Sequence, residues 1–234
     1  MKVLIVIPTY NEKENIRKII PAIKKNGAGI DILVVDDNSP DGTAGAVKAA
    51  AKRIKGIKLL ERPQKKGLGT AYVEGFKYAI DNKYDLIFEM DADFSHDPGY
   101  ISDFIKKMGK YDMVIGSRYV KGVSVVNWPI RRLMLSKFAS WYVRKITGMP
   151  FTDCTSGFKC FKRKVLESID LEKIHSDGYS FQVEMHYKAW KKGFKAAELP
   201  IIFVDRHAGS SKMSRDVIME AVLIPWKLRM GIIK

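Results

Sequence analysis

The chain has 234 residues, 46% of them hydrophobic, with 41 Lys and Arg against 26 Asp and Glu and a net charge of +15. That suffices to bury the core of one large domain, and the basic excess selects an anionic partner: nucleic acid, a nucleotide substrate or an anionic membrane surface. Two cysteines exclude a disulfide framework, and no apolar run approaches the roughly 18 residues of a membrane span or follows a secretory pattern; the expected location is the cytosol, with or without attachment to a membrane surface.

In chain order, KVLIVIP (2–8) reads as a buried strand and NEKENIRKIIPAIKK (11–25) as an amphipathic helix with Asn11 as N-cap. DILVVDD (31–37) is a second strand, followed by a helix over about 41–54 and the short strand IKLLE (57–61). A turn at Gly67 and Gly69 opens a helix to about Ile80, DLIFEMD (85–91) is the fourth strand, and a helix from Pro98 leads to the strand DMVIGS (112–117). The second half predicts a helix over 129–146, the loop PFTDCTSG (150–157), a short strand and helix over 158–168, a helix over 179–191 and the strand AAELPIIFV (196–204). A tail helix starts near Ser214, with a kink at Pro225, giving one domain over 1–213 and an amphipathic tail over 214–234. Apolar runs alternating with helices predict right-handed crossovers and a parallel sheet, whose ligands bind beyond the carboxyl ends of the strands. PTYNE (8–12), DDNSPDG (36–42) and DAD (91–93) all fall at such ends.

Asp91 and Asp93 offer two hard oxygen ligands on a rigid strand end, the kind of set that holds Mg²⁺ together with substrate phosphates. His96 reads as structural or solvent-facing. Of Asp36 and Asp37, one suits hydrogen bonding to a base or ribose and the other shapes the following turn. Neither a G-x-G-x-x-G nor a G-x-x-x-x-G-K-[ST] motif occurs, which counts against dinucleotide redox chemistry and P-loop phosphoryl transfer. Residues 113–152 hold no Asp or Glu but contain Arg118, Lys121, Arg131, Arg132, Lys137, Arg144 and Lys145, interleaved with Trp128, Phe138, Trp141 and Tyr142. Within the tail, Trp226 beside Lys227 and Arg229 suits a lipid headgroup region as well as it suits a helix packed on the domain. No nucleic-acid-binding module is recognisable and an acidic rim would repel a phosphodiester backbone, so nucleic acid is not the expected partner.

VIPTYNE, VVDDNSPDGT, KKGLGTAYVEGF, MDADFSHDP, IGSRYV, DCTSGFKCF and VDRHAGSSKMS, taken in order over about residues 2–213, resemble the family 2 glycosyltransferases. Within them they are similar to the dolichol-phosphate mannose synthase group, in its short form without transmembrane helices. The resemblance implies a GT-A-like α/β fold with a mostly parallel sheet. It also implies transfer of mannose from GDP-mannose to a polyprenyl (dolichyl) phosphate, metal-dependent and inverting, with Mg²⁺ or Mn²⁺ as cofactor. Pro8, Tyr10, Glu12, Val35 and Asp37 would line the guanine and ribose pocket, and Asp91, Ala92 and Asp93 would meet the nucleotide sugar. Asp93 would bind the metal; Ser95 stands in a second metal position where some relatives carry Gln. Arg206 and Lys212 would close over the diphosphate, and Arg118, Arg132 and Ser136 would hold the acceptor phosphate, with Arg118 also counted as catalytic beside Asp91 and Asp93. The implied location is the cytoplasmic face of a membrane, through peripheral contact or a membrane-anchoring partner subunit. The alternatives left open are a UDP-glucose donor, a polysaccharide acceptor, a catalytically inactive sugar-binding domain and a basic nucleic-acid-binding protein.

Overall fold

A computed structural model describes residues 1–27, 29–174, 176–205 and 215–233, the side chains of Arg215 and Asp216 excepted. The first half alternates as expected: β1 (Val3–Thr9), α1 (Lys13–Lys24), β2 (Ile30–Asp36), α2 (Thr43–Ala51), β3 (Ile57–Glu61), α3 (Leu68–Asp81) and β4 (Leu86–Glu89). A 3-10 turn at Pro98–Tyr100 leads into α4 (Ile101–Met108), then β5 (Met113–Ser117), the two-residue β6 (Val125–Val126) and the long α5 (Ile130–Thr147). The remainder is β7 (Lys159–Lys162), α6 (Arg163–Ser168), α7 (Gly178–Lys191), β8 (Ala196–Pro200), β9 (Phe203–Val204) and α8 (Arg215–Arg229).

Seven strands form one sheet in the order β3-β2-β1-β4-β7-β5-β8. β7 runs antiparallel to both of its neighbours, and the other pairings are parallel. Alternate residues of each strand enter opposite cores. Leu4, Val6, Leu33, Val35, Ile87 and Phe161 pack with α3, α6 and α7, whereas Ile5, Ile7, Ile32, Val34, Phe88 and Cys160 pack with α1, α2 and α4. Burial on both faces is why these strands read as unbroken apolar runs rather than as alternating ones.

Two expectations need correction. Asn11 does not cap α1: its φ is +61°, the cap position is Glu12, and the first amides are satisfied from the loop after β2. Glu12 N donates to Thr43 Oγ1 at 3.1 Å and Lys13 N to Asp41 Oδ2 at 3.0 Å, so a tertiary contact replaces the local cap. The single strand expected over 196–204 is two: β8 pairs with β5, whereas Phe203 and Val204 leave the main sheet to pair with Val125 and Val126.

Among the described residues, no helix is long and apolar enough to cross a membrane. α8 lies against the domain, with Ile224 and Leu228 buried in the α3–α7 core. Trp226 Nε1 donates to Tyr142 Oη on α5 at 3.0 Å, and Tyr142 Oη donates to the Val222 carbonyl at 2.9 Å. The tightest helix–sheet approach is at Gly75 of α3, where an added Cβ would lie 2.4 Å from Val6 Cγ1. Gly75→Ala is therefore expected to lower the stability of the fold by roughly 1–3 kcal/mol through overpacking, read as a lower denaturant midpoint at unchanged slope.

Candidate active site

β4 ends at Glu89, and the chain then turns through Asp91–Ala92–Asp93. The turn is held from below. Asp91 N donates to His96 Nδ1 at 3.1 Å, Tyr72 Oη donates to Asp91 Oδ1 at 3.2 Å, and Ser95 N donates to Asp93 Oδ1 at 3.0 Å. Phe94 takes a left-handed φ of +63° to make the turn. His96 is buried and stacked on Phe158 at 5.0 Å. Because Nδ1 accepts, the ring is neutral with its proton on Nε2; burial lowers its pKa despite the nearby Asp91 and Asp93. His96 is thus a brace for the acidic turn. The Asp91 side chain keeps 38% of its surface exposed, while Ser95 is buried, offering its amide to Asp93.

Along the rim, Asp36 and Asp37 divide as the turn chemistry suggested. Asp36 is consumed internally, accepting from Thr9 Oγ1 at 2.8 Å and from Ser39 Oγ and N at 2.7 and 2.9 Å. Asp37 accepts from Nε of the buried Arg62 at 2.5 Å. Arg62 also reaches Thr70 Oγ1, Glu74 and the Gly67 carbonyl, joining β2, the end of β3 and the start of α3. Tyr10 is exposed, with Lys65 Nζ 4.2 Å from its ring centroid. Pro8 and Glu12 are half-buried beside it. Val35 and Ala92 keep their side chains in the core, so only their main chains can meet a ligand. Arg206 and Lys212 lie outside the described residues.

Across the rim, Arg118 and Arg132 converge on Trp128, and Ser136 joins them through Tyr119. Arg118 is buried and its guanidinium is forked onto the fully buried Asp153, with Nε and Nη2 donating at 2.7 and 2.6 Å. Nη2 donates also to Thr155 Oγ1 at 2.9 Å. Its charge is therefore already paired; among the described residues Nη1 has no hydrogen-bond partner. Arg132 is a third exposed, donates to Asp205 Oδ2 at 2.6 Å and lies over Trp128. Ser136 Oγ accepts from Tyr119 Oη at 2.8 Å. Phe203 connects the two sides: it is edge-on to His96 at 5.8 Å and to Trp128 at 5.4 Å.

Sequence reading missed Arg62, Tyr72, Asp153 and Trp128 as members of the site. A lone Arg after β3 carried no motif, and the Arg118–Asp153 pairing spans 35 positions in sequence. The signal available was chemical: a carboxylate in DCTSG directly preceding an apolar strand has to find a cation if it is buried.

The profile described as "Glycosyl transferase family 2" matches residues 4–170. An undecaprenyl-phosphate mannosyltransferase of Micrococcus luteus is 41% identical over 223 residues, covering 95% of this chain and 92% of that protein. A polyprenol monophosphomannose synthase of Mycolicibacterium smegmatis is 42% identical over 232 residues, covering 97% and 88%. Among solved structures, glucosyl-3-phosphoglycerate synthase of Mycobacterium tuberculosis, in complex with Mn²⁺, UDP and glucosyl-3-phosphoglycerate, aligns with a TM-score of 0.71 at 17% identity, over 98% of this chain and 80% of that one. The last likeness concerns the fold alone.

Beneath the site, His186 of α7 is wholly buried, bonded through Nδ1 to the Cys154 carbonyl at 3.0 Å. Burial, reinforced by Lys159, holds its pKa well below the usual value, so it stays neutral when folded. Unfolded, it protonates below about pH 6.5. Its contribution to stability is complete above that pH and is lost as the pH falls. His186→Asn, which retains a donor but does not titrate, is expected to show a shallower loss of stability between pH 7 and 5.5, by about 1 kcal/mol at the acid end. Denaturant titrations of both proteins at each pH measure this, and the comparison cancels groups common to both.

Proposed function

Because the chain belongs to glycosyltransferase family 2, we propose that it transfers mannose from GDP-mannose to a polyprenyl monophosphate, inverting the anomeric carbon and releasing GDP. The names of the two mannosyltransferase relatives support the sugar and the lipid phosphate. The observation that carries the reading is the opposition across one rim of an acidic turn at Asp91 and Asp93 to a basic, aromatic-lined cluster at Arg118, Arg132 and Ser136. Phe203 spans the two. Neither half alone would suit both a nucleotide diphosphate and an anionic acceptor.

Asp91 and Asp93 fit a divalent cation: two hard carboxylates, both partly exposed, with Ser95 alongside. Among the described residues no third His, Cys, Asp or Glu closes a protein-only cage. Such an open set leaves positions for phosphate oxygens and water, as Mg²⁺ and Mn²⁺ sites on nucleotides do. When bound, the cation would neutralise the charge that develops on the departing diphosphate. The protein's part is placement. Tyr10, Pro8 and Glu12 would frame the base and ribose, with the Asp37 carboxylate fixed by Arg62. Arg132 and Ser136 offer donors to the acceptor phosphate, whose oxygen attacks the anomeric carbon while that carbon's bond to the leaving GDP oxygen breaks. The acceptor is already an anion at neutral pH, so the step needs no general base, only alignment and charge neutralisation.

A membrane surface is the natural place to meet such an acceptor, and the outer faces of α5 and α8 suit it. Ile130, Met134 and Phe138 on α5 and Ile218, Val222 and Trp226 on α8 are exposed at four-residue intervals. Arg131, Lys137, Arg144, Lys145 and Lys227 are exposed on the same two helices, as an interfacial helix requires. Met134→Asp with Phe138→Asp is expected to abolish co-sedimentation with vesicles rich in anionic phospholipid while GDP binding and the thermal midpoint persist. Wild-type sedimentation by that variant would sink the membrane assignment.

The function is tested by incubating the protein, Mg²⁺ or Mn²⁺ and farnesyl phosphate with radiolabelled GDP-mannose or UDP-glucose. Label is expected in the lipid phase from GDP-mannose, and Asp93→Ala is expected to lose at least about 100-fold in turnover while retaining its fold. Label from UDP-glucose alone would replace the donor, and label from neither would overturn the reading.

A further inference from the structure

Trp128 stands between the two arginines of the acceptor cluster. The guanidinium carbon of Arg132 lies 4.2 Å from its ring centroid and that of Arg118 5.4 Å. Phe203 meets the indole edge-on at 5.4 Å with an interplanar angle of 74° and lies 5.6 Å from Arg118. The Tyr119 ring centroid lies 5.2 Å from the guanidinium carbon of Arg118. Yet the indole Nε1–H is buried and has no partner among the described residues. An unmet buried donor is unfavourable, and phenylalanine at this position would avoid it. What tryptophan supplies in return is the largest and most negative aromatic face, the best platform for a cation.

Arg132 needs such a platform. It projects from a helix surface, a third exposed, and a free arginine side chain there would sample many rotamers. Arg118, by contrast, is already immobilised by Asp153. Asp205 holds one edge of the Arg132 guanidinium, the ring sets its plane relative to the buried Arg118, and Asp153 and Asp205 offset the repulsion between the two cations. We propose that Trp128 is a positioning residue for the acceptor, a shared aromatic platform that sets the spacing and planes of Arg118 and Arg132 so that both present donors to a single phosphate. The inference rests on the acceptor site proposed above. It gives Trp128 no contact with the nucleotide sugar.

The test is steady-state kinetics of Trp128→Phe and Trp128→Leu with farnesyl phosphate and GDP-mannose. The phenylalanine variant is expected to raise the KM for farnesyl phosphate about threefold and the leucine variant about tenfold or more, with GDP affinity unchanged. Because the ring acts through Arg132, adding Arg132→Ala to Trp128→Leu should cost much less than the product of the two single effects. An unchanged acceptor KM in Trp128→Leu would overturn the proposal, as would parallel losses for donor and acceptor or fully multiplicative effects. Should the wild-type protein transfer mannose to no prenyl phosphate, the functional reading falls on its own. Calorimetric binding of farnesyl phosphate then decides the platform separately: weaker binding by Trp128→Leu supports it, and equal or absent binding by both proteins overturns it.

Discussion

Where β7 runs antiparallel between β4 and β5, Lys159 faces Glu89 in register, and both side chains are wholly excluded from water. Their charged atoms approach to 3.3 Å, and Lys159 Nζ also donates to Gln182 on α7. Burial pushes the Glu89 carboxyl up to about 7 and lowers the Lys159 ammonium, so desolvation outweighs mutual attraction in both partners. The pair is therefore a poor source of net stability but a costly one to break, at about 3–5 kcal/mol, since the remaining charge would be stranded. That asymmetry serves register. β7 joins the β3-β2-β1-β4 half of the sheet to the β5-β8 half, and a slip at this junction would separate the buried charges. Two residues beyond Glu89 is Asp91, so the position of the acidic turn is inherited from this junction.

The same logic recurs around the rim in weaker forms. Asp37 is held by Arg62, Arg118 by Asp153 and Arg132 by Asp205. The first two pairs are buried and rigid, and they build the walls. The third is a third exposed on its arginine side, and it presents a charge that a ligand can reach. Graded burial thus separates charges that wall the rim from a charge that remains accessible, although all are drawn from the same residue types. A site arranged in this way needs little reorganisation when an anion arrives.

Much of this was legible in the sequence, for identifiable reasons. Parallel strands end where their apolar runs end, which places PTYNE, DDNSPDG and DAD on one rim from the sequence alone. Asp36 and Asp37 could be given different roles but not told apart by turn chemistry alone: Asp36 shapes the turn, and Asp37 is buried on Arg62. What could not be read depends on tertiary partners. The α1 cap failed because Asp41 and Thr43 supply it from another loop. The antiparallel insertion of β7 failed to show because a four-residue strand carries no signal of direction. Arg118 was read as an open phosphate ligand because nothing local announces Asp153. Trp128 was read only as one aromatic among several, since its meaning lies in two arginines four and ten positions away that converge on its ring.

On the proposed reading, α5 lets a chain whose described helices are all too short or too polar to cross a membrane reach a lipid-borne acceptor. Arg132, Ser136, Ser140, Val143 and Thr147 follow one face of the helix, the last three buried against the domain. Ile130, Met134, Phe138 and Trp141 follow the opposite face and are exposed. On the proposed reading, the phosphate-binding and membrane-facing surfaces are thus two sides of a single helix, separated by its diameter of about 10–12 Å. A prenyl phosphate would have to lift its headgroup only by that distance, with its first isoprene units still beside apolar side chains of α5. The Tyr142–Trp226 and Tyr142–Val222 hydrogen bonds fix α8 to the same helix. The apolar surface is consequently built on the element that carries Arg132 and Ser136, so that seating one at an interface would seat the other.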